Sequence, residues 1–240
     1  MAPKPRRRPH HRALRRHGAR GLFRAVAAAA RRRRLRGVES EGAGGRRLAG
    51  AGEPWPQLQV VGMGLMGSGK STLLRALALL SGGVWLNQDE FGHLGKRAKW
   101  EFLQAIRKAA STSPENSAPL VAVDKINVLR SHRREILEAL DGCSPRRRLL
   151  LRFAHPSDPP DAIGVHATEL CLERIRARGM GHRTLRVDNP KLGEILGSTA
   201  KAFEAPQVEE LKQFDAVCEV DMTHTPEEAL RRLLAELRER

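Results

Sequence analysis

Gly64-Leu65-Met66-Gly67-Ser68-Gly69-Lys70-Ser71 sets a glycine, four residues and then Gly-Lys-Ser in the spacing of a Walker A phosphate-binding loop. Glycines let successive backbone N–H groups turn inward around a polyphosphate, where a Cβ would clash. The ammonium of Lys70 suits β- and γ-phosphates, and the hydroxyl of Ser71 suits Mg²⁺. Leu58-Gln59-Val60-Val61 reads as a buried strand entering the loop, and Thr72 to Leu80 as a helix leaving it. That helix would bring its positive end under the phosphates. Strand, loop and helix in this order raise the motif above a chance glycine-rich turn. The expectation is a nucleoside triphosphate, ATP or GTP, held by Gly64, Leu65, Met66, Gly67, Ser68, Gly69, Lys70, Ser71 and Thr72.

Downstream, the same alternation continues. Ser81-Gly82-Gly83 breaks the helix, and Val84-Trp85-Leu86 forms a short second strand. Lys99 to Ala110 is amphipathic, with Trp100, Leu103, Ile106 and Ala110 assigned to one face. A polar loop, Ser111 to Pro119, leads to the apolar strand Leu120-Val121-Ala122-Val123, which ends at Asp124. Ser131 to Leu140 is the next helix, closed by Gly142, and Leu149 to Phe153 the fourth strand. A long helix over Ala162 to Ala177 precedes Arg178-Gly179-Met180-Gly181-His182-Arg183. Phe214 to Val220 is the fifth strand, and Thr225-Pro226-Glu227-Glu228 caps a last helix striped with Leu230, Leu233, Leu234 and Leu237. Strands alternating with helices imply an α/β fold, a doubly wound five-stranded parallel sheet of the P-loop NTPase/kinase type. Ligands of such a sheet lie at the carboxyl ends of its strands, where the Walker loop, Asp89 and Asp124 fall.

The charge is unevenly placed. Residues 1–58 carry 16 Lys+Arg against 3 acidic residues, about +13 of the total +16, which leaves an ordinary balance for the rest. The first 38 residues contain no Asp or Glu, and include Arg6-Arg7-Arg8 and Arg31-Arg32-Arg33-Arg34. Such a segment cannot bury enough apolar surface to offset its ordering entropy, so residues 1–56 are read as a basic, disordered extension and linker. Three roles fit it: a solvated extension, a nucleic-acid-binding or nuclear-import arm, or an organellar transit peptide. The absence of serine before Ser40 counts against the last. Residues 57–240 form the expected globular domain. No apolar run reaches membrane-spanning length. Cys143, Cys171 and Cys218 are widely spaced without CxxC pairing, which argues against a disulfide framework and a structural zinc site. A reducing, intracellular environment is the expectation, nuclear or cytoplasmic, or organellar if the extension is a transit peptide.

Several side chains then become candidates for chemistry. Asp89 follows the second strand directly, where a carboxylate faces the γ-phosphate and can accept a proton from an attacking hydroxyl; the alternative is a helix N-cap or turn carboxylate. Asp124 is read as a holder of the Mg²⁺ together with Ser71, or else as a turn aspartate. Lys125, Arg130, Arg133 and Arg134 follow it and suit an anionic acceptor as well as a solvated helix face. Arg174, Arg176, Arg178, His182 and Arg183 flank glycines, as a closing lid requires, although a helix C-terminus also favours arginine. His166-Ala167-Thr168 and His182-Arg183-Thr184 repeat His-x-Thr, but on a helix and a lid rather than on separate strands, so a two-histidine phosphoesterase is set aside.

Taken in order, these motifs resemble the polynucleotide-kinase domain of fungal-type tRNA ligases over roughly Leu58 to Met222. Gly67 to Thr72 is similar to the family's phosphate loop, and Leu86-Asn87-Gln88-Asp89 to its Gln-Asn-Asp segment. Asp124-Lys125-Ile126-Asn127 through Arg133 is similar to its Asp-Arg-Asn-Asn-His segment with the trailing arginine. Glu173 to Gly179 with His182-Arg183-Thr184 looks like its lid, and Phe214-Asp215-Ala216-Val217 like its closing strand. Lys125 stands where the family has arginine, and Ile126 and Val128 where it has polar residues.

The resemblance implies transfer of a γ-phosphate to a 5′-hydroxyl RNA end, such as a 3′ tRNA half. Asp89 would be the base, and Lys70, Arg133, Arg174 and Arg178 would complete the catalytic set. It also implies ligase and phosphodiesterase modules as partners, since full-length members carry both and no Lys-x-Asp-Gly adenylation motif stands in this chain. The chain is therefore expected to be a lone kinase module or a fragment of a larger ligase. Two other readings stay open: a small-metabolite kinase of the same fold, and a non-catalytic nucleotide- and RNA-binding module.

Overall fold

Apolar runs too short to be helices build the centre of the molecule. A computed structural model describes residues 57–110, 118–141, 146–179 and 187–239. Its strands are β1 (Gln57–Met63), β2 (Val84–Asn87), β3 (Leu120–Asp124), β4 (Arg146–Ala154) and β5 (Ala216–Asp221). They form one parallel sheet in the order β2-β3-β1-β4-β5. The sequence expectation of a doubly wound, five-stranded parallel sheet is met. β3 is buried at every position and β1 nearly so, as strands covered on both faces must be. β5, at an edge, alternates instead: Cys218 and Val220 are buried while Val217 and Glu219 are exposed.

The helices are α1 (Lys70–Ser81), α2 (Ala98–Ala110), α3 (Arg130–Leu140), α4 (Val165–Arg178), α5 (Leu192–Lys201), α6 (Val208–Leu211) and α7 (Pro226–Glu239), with a 3₁₀ segment over Gln88–Arg97. α2 packs on α3, α1 on α7, and α4 on α5. The core combines Val61, Val121, Val123 and Leu150 of the sheet with Phe102 and Ile106 of α2 and Ile136, Leu137 and Leu140 of α3. Thr225 caps α7 as expected, its hydroxyl accepting from the Glu228 N–H at 3.2 Å.

One expectation is corrected. The buried stripe of α2 runs through Phe102, Ile106 and Ala110, while Trp100 is 55% exposed and Leu103 only partly buried. The physical reason is Phe91 of the 3₁₀ segment, which meets Phe102 edge-on at 5.6 Å and turns the helix onto that side. Helices α5 and α6 fill a stretch to which no element was assigned. The segment 1–56 read as a basic extension, residues 111–117 read as a polar loop, Gly142, Cys143 and the residues Met180 to Arg183 read as part of a lid lie outside the described residues.

Polar groups buried at the amino ends of the strands are satisfied. Gln57 Nε2 donates to Ala109 O at 3.2 Å and Gln59 Nε2 to Leu140 O at 3.0 Å, closing carbonyls in the last turns of α2 and α3. Arg148, 5% exposed, donates to Gln59 Oε1 at 2.9 Å and to Asp141 Oδ1 at 2.7 Å. This end of the sheet is a closed polar network, and the carboxyl ends of the strands are left to carry ligands.

α4 begins at Gly164, which has no side chain to cap it. Asp158 does so from upstream: one oxygen accepts from the N–H groups of Gly164 (3.1 Å) and Ala167 (2.8 Å), the other from the N–H and Nδ1 of His166 (3.2 and 2.9 Å). His155, Asp158 and His166 bring one metal-binding atom each within 4.8 Å of one another. Both carboxylate oxygens are occupied by the cap, so the cluster is explained by helix capping. Burial alone would raise the Asp158 carboxyl, but the donors of Ala167 and His166 outweigh it and hold it below the ordinary range. Its folded value lies under its unfolded one, so its stabilisation is complete above the unfolded value and is lost as pH falls through the folded one. Asp158→Ala is expected to lower stability by about 1–2 kcal/mol at neutral pH, and by less in acid. Urea denaturation across that pH range measures it; a loss independent of pH would show that the charge is not the stabilising feature.

Candidate functional site

The loop after β1 follows from its glycines. Gly67 (φ 87) and Gly69 (φ 102) hold left-handed backbone that other residues avoid. A Cβ at Gly67 would also stand 2.8 Å from the Cys171 carbonyl of α4, so glycine is required there for packing as well. Gly64 N donates to Ile126 O at 2.9 Å, tying the loop to the segment after β3. Asn127 in that segment adopts left-handed backbone (φ 49) and donates Nδ2 to Gly62 O at 2.7 Å, which fixes the two strand ends against each other.

A cleft of about 340 Å³ opens at these strand ends, within the range of small-molecule sites. Met66, Gly67, Gly69, Lys70 and Ser71 form one wall, and Asp124, Lys125 and Ile126 the floor. Asn87, Gln88, Asp89, Gly92 and Ala98 form the facing wall, with Arg178 reaching in from the end of α4. Topology explains the division. β1 carries the phosphate loop, β3 the floor, and β2 at the sheet edge carries the facing wall.

Lys70 is only 6% exposed, and its Nζ donates to Gly64 O (2.9 Å), Leu65 O (2.7 Å) and Ser68 Oγ (3.3 Å). Burial lowers its pKa, and Arg178 adds to the fall; Asp124, Cys171 and Asp89 oppose it. Asp124 is the mirror case. Burial raises its carboxyl, while Lys70 and hydrogen bonds from Ser71 and Trp85 resist. Trp85 Nε1 reaches Asp124 Oδ2 at 3.2 Å, and Arg75 lies 5.4 Å over the same indole. Asp89 is exposed on the facing wall, and its N–H is held by Asn87 Oδ1 at 3.0 Å, so Asn87 starts the 3₁₀ segment that presents the carboxylate. Cys171 is buried beside the loop with its thiol pushed up to about 11 by burial, which leaves it protonated and without nucleophilic character at neutral pH.

The structure thus brings Lys70, Ser71, Asp89, Asp124 and Arg178 around one cleft. It does not bring Arg133 there. That side chain is fully buried beneath the β3–α3 segment, bidentate to Glu210 and bonded through Nη1 to the carbonyls of Asn127 (3.0 Å) and Val128 (3.1 Å). Arg133 thus holds the segment between β3 and α3 and does not line the cleft. Arg174 reaches the outside of the phosphate loop, donating to Ser68 O at 3.2 Å and to Met222 O, and so bridges the loop to the segment after β5. Trp85 and Glu210 were not singled out in sequence, since each acts through a partner distant in the chain; Asn87 and Asn127 stood inside the quoted segments without an assigned role.

With this geometry in hand, comparisons place the fold. A crystal structure of a fungal RNA kinase superposes with a TM-score of 0.59 at 14% identity, covering 76% of this chain and 84% of that one. The fold is that of a P-loop kinase. A gluconokinase from Sinorhizobium meliloti 1021 superposes with a TM-score of 0.50 at 22% identity, covering 78% of this chain and 94% of the other. At these identities the likeness carries the architecture and not the acceptor. No protein-family model and no curated protein matches the sequence. Among the described residues, no helix is long and apolar enough to cross a membrane.

The donor set fits a magnesium nucleotide. Ser71 and Asp124 offer a hydroxyl and a carboxylate in hydrogen-bond contact, the oxygen ligands that Mg²⁺ prefers. The raised carboxyl of Asp124 marks a buried negative charge that its protein partners do not fully compensate, which a cation at that point would correct.

Proposed function

We propose that residues 57–240 form a nucleoside-triphosphate-dependent kinase that transfers the γ-phosphate to the 5′-hydroxyl end of RNA. The observation that carries the chemistry is the facing of Lys70 and Asp89 across one cleft, with Ser71 and Asp124 between them. ATP or GTP would lie along residues 64–72. Lys70 would leave the Gly64 and Leu65 carbonyls for the β- and γ-phosphates, and Arg178 would add charge at the transferring group. A divalent cation held by Ser71 and Asp124 would supply further charge neutralisation. Asp89 would take the proton from the attacking hydroxyl as its oxygen bonds to the γ-phosphorus and the bond to the β,γ-bridging oxygen breaks, releasing the nucleoside diphosphate. Support for RNA as acceptor comes from the ordered segments shared with tRNA-ligase kinase domains and from the likeness to the fungal RNA kinase. The likeness to the gluconokinase favours the second reading, a small-metabolite kinase.

The deciding experiment supplies γ-labelled ATP or GTP to the whole chain with 5′-hydroxyl RNA, with 5′-phosphorylated RNA and with small hydroxy acids. Label on the 5′-hydroxyl RNA alone supports the proposal. Label on a small acid alone would overturn it in favour of a metabolite kinase, and label on nothing would leave a binding module. Within this scheme Lys70→Ala is expected to lower transfer about 10²–10³-fold, the loss typical of removing one donor aimed at developing charge. Near wild-type turnover in a folded variant would remove the phosphate-loop assignment.

A further inference from the structure

Four side chains from three elements form a closed circuit around Asp124. Asp124 ends β3 and is 3% exposed. Trp85 of β2 is paired in register with Ala122 of β3, and Asp124 is the next residue on the same side of that strand. Ala122 is small, and the indole beside it donates Nε1 to Asp124 Oδ2 at 3.2 Å. Arg75 of α1 stands over the indole face, 5.4 Å from the ring centroid. Ser71 of α1 hydrogen-bonds to the Asp124 carboxylate as well. Ser71 and Arg75 are four residues apart, so they lie one turn apart on a single face of α1. The circuit runs Ser71, Asp124, Trp85, Arg75 and back to Ser71 through one turn of helix.

Space-filling does not account for Trp85. It is half-buried on an edge strand, and its two directional contacts are a guanidinium and a carboxylate. An indole offers a flat face to the first and an N–H to the second at once. The carboxylate needs such a partner. The χ2 torsion of an aspartate is broad, so one donor leaves the plane of the group free to turn. Mg²⁺ demands near-ideal octahedral geometry, and hydrogen bonds to its ligands set how those ligands face it.

We infer that Trp85 is a positioning residue for the divalent cation: its N–H fixes the plane of the Asp124 carboxylate, while Arg75 fixes the indole. The inference rests on the magnesium-nucleotide reading of the cleft. It separates two quantities that the cleft otherwise joins. Lys70, bonded to the Gly64 and Leu65 carbonyls and to Ser68, belongs to the phosphate loop and would bind the nucleotide with or without the indole. The extra affinity that the cation brings passes through Asp124 and therefore depends on Trp85.

The test is calorimetric binding of ATP and of GTP to the whole chain, each with Mg²⁺ and with EDTA, the ratio of the two Kd values being the gain from the cation. Trp85→Phe keeps an aromatic ring for Arg75 and removes the N–H. It is expected to raise Kd in Mg²⁺ about 10-fold, the lower end of the loss when a metal ligand is deprived of its hydrogen-bond partner, with Kd in EDTA near the wild-type value. Asp124→Asn should lose the gain too, and Trp85→Phe added to it should take nothing further, because the indole then has no ligand to position. An unchanged gain in Trp85→Phe would overturn the inference. So would an equal rise of Kd in Mg²⁺ and in EDTA, which would make Trp85 a strut of the fold. A wild-type protein that binds nucleotide equally well in Mg²⁺ and in EDTA would defeat the magnesium reading itself, and the inference with it. Should Trp85→Phe fail to fold, benzothienylalanine incorporated at position 85 puts sulfur in place of the N–H within a ring of the same shape, and the same ratio decides.

Discussion

Asp89→Asn is expected to lower turnover about 10²–10⁴-fold while nucleotide affinity stays near the wild-type level, the range a positioned general base contributes. The substitution is nearly isosteric. It leaves the Asp89 N–H on Asn87 Oδ1, so the 3₁₀ segment that presents the side chain keeps its start. The side chain is exposed, so no packing is lost. What disappears is the basic oxygen facing Lys70 across the cleft. Single-turnover transfer, with nucleotide binding measured separately, checks the prediction. An equal fall in both quantities would make Asp89 a metal or structural residue, and unchanged turnover would leave the cleft without its base.

The part of this site readable in sequence is the part fixed by local chemistry. Gly67, Gly69, Lys70 and Ser71 are contiguous, and the strand before and the helix after them announce themselves by hydrophobic pattern. Asp89 and Asp124 could be placed because one lies just past the end of β2 and the other closes β3, and in a parallel sheet every strand ends on the same side. Arg133 could not. Sequence puts it within one turn of α3 after the site segment, which suits a cleft residue equally well, and the choice is made by Glu210, 77 residues further on. Helix α5 escaped notice because Gly193 and Gly197 dilute its helical signal. Its two buried anchors are Leu192 and Leu196, on a face that tertiary packing selects. Trp100 misled for the opposite reason. A large aromatic at helical spacing looks like core, and only the position of Phe91 shows that the stripe through Phe102 is the buried one.

Arg133→Ala is expected to lower stability by about 3–5 kcal/mol, because removing one member of a buried ion pair strands the other. The loss has two sources. Glu210, 7% exposed, would keep a carboxylate with no counter-charge, and the carbonyls of Asn127 and Val128 would lose the Nη1 donor that holds them. Arg133→Lys should recover little, since one ammonium cannot serve two carboxylate oxygens and two carbonyls from a planar fork. A paired replacement, Arg133→Met with Glu210→Leu, should recover much of the stability, because it removes both charges together. It should not recover function in proportion. The arginine also fixes the segment from Asp124 to Val128, which Glu204 braces from the other side by donating its N–H to Val128 O at 2.9 Å. With the Nη1 donor gone, Lys125 and Asp124 would lose their fixed distance from Asp89, and effective molarity falls steeply with small misplacements. Urea denaturation of the three variants, read beside their KM and kcat, tests both halves. A loss under about 1 kcal/mol in Arg133→Ala would mean that Glu210 finds water or another donor. Full activity in the paired variant would mean that the segment holds its shape without the arginine, and that Arg133 serves the fold alone.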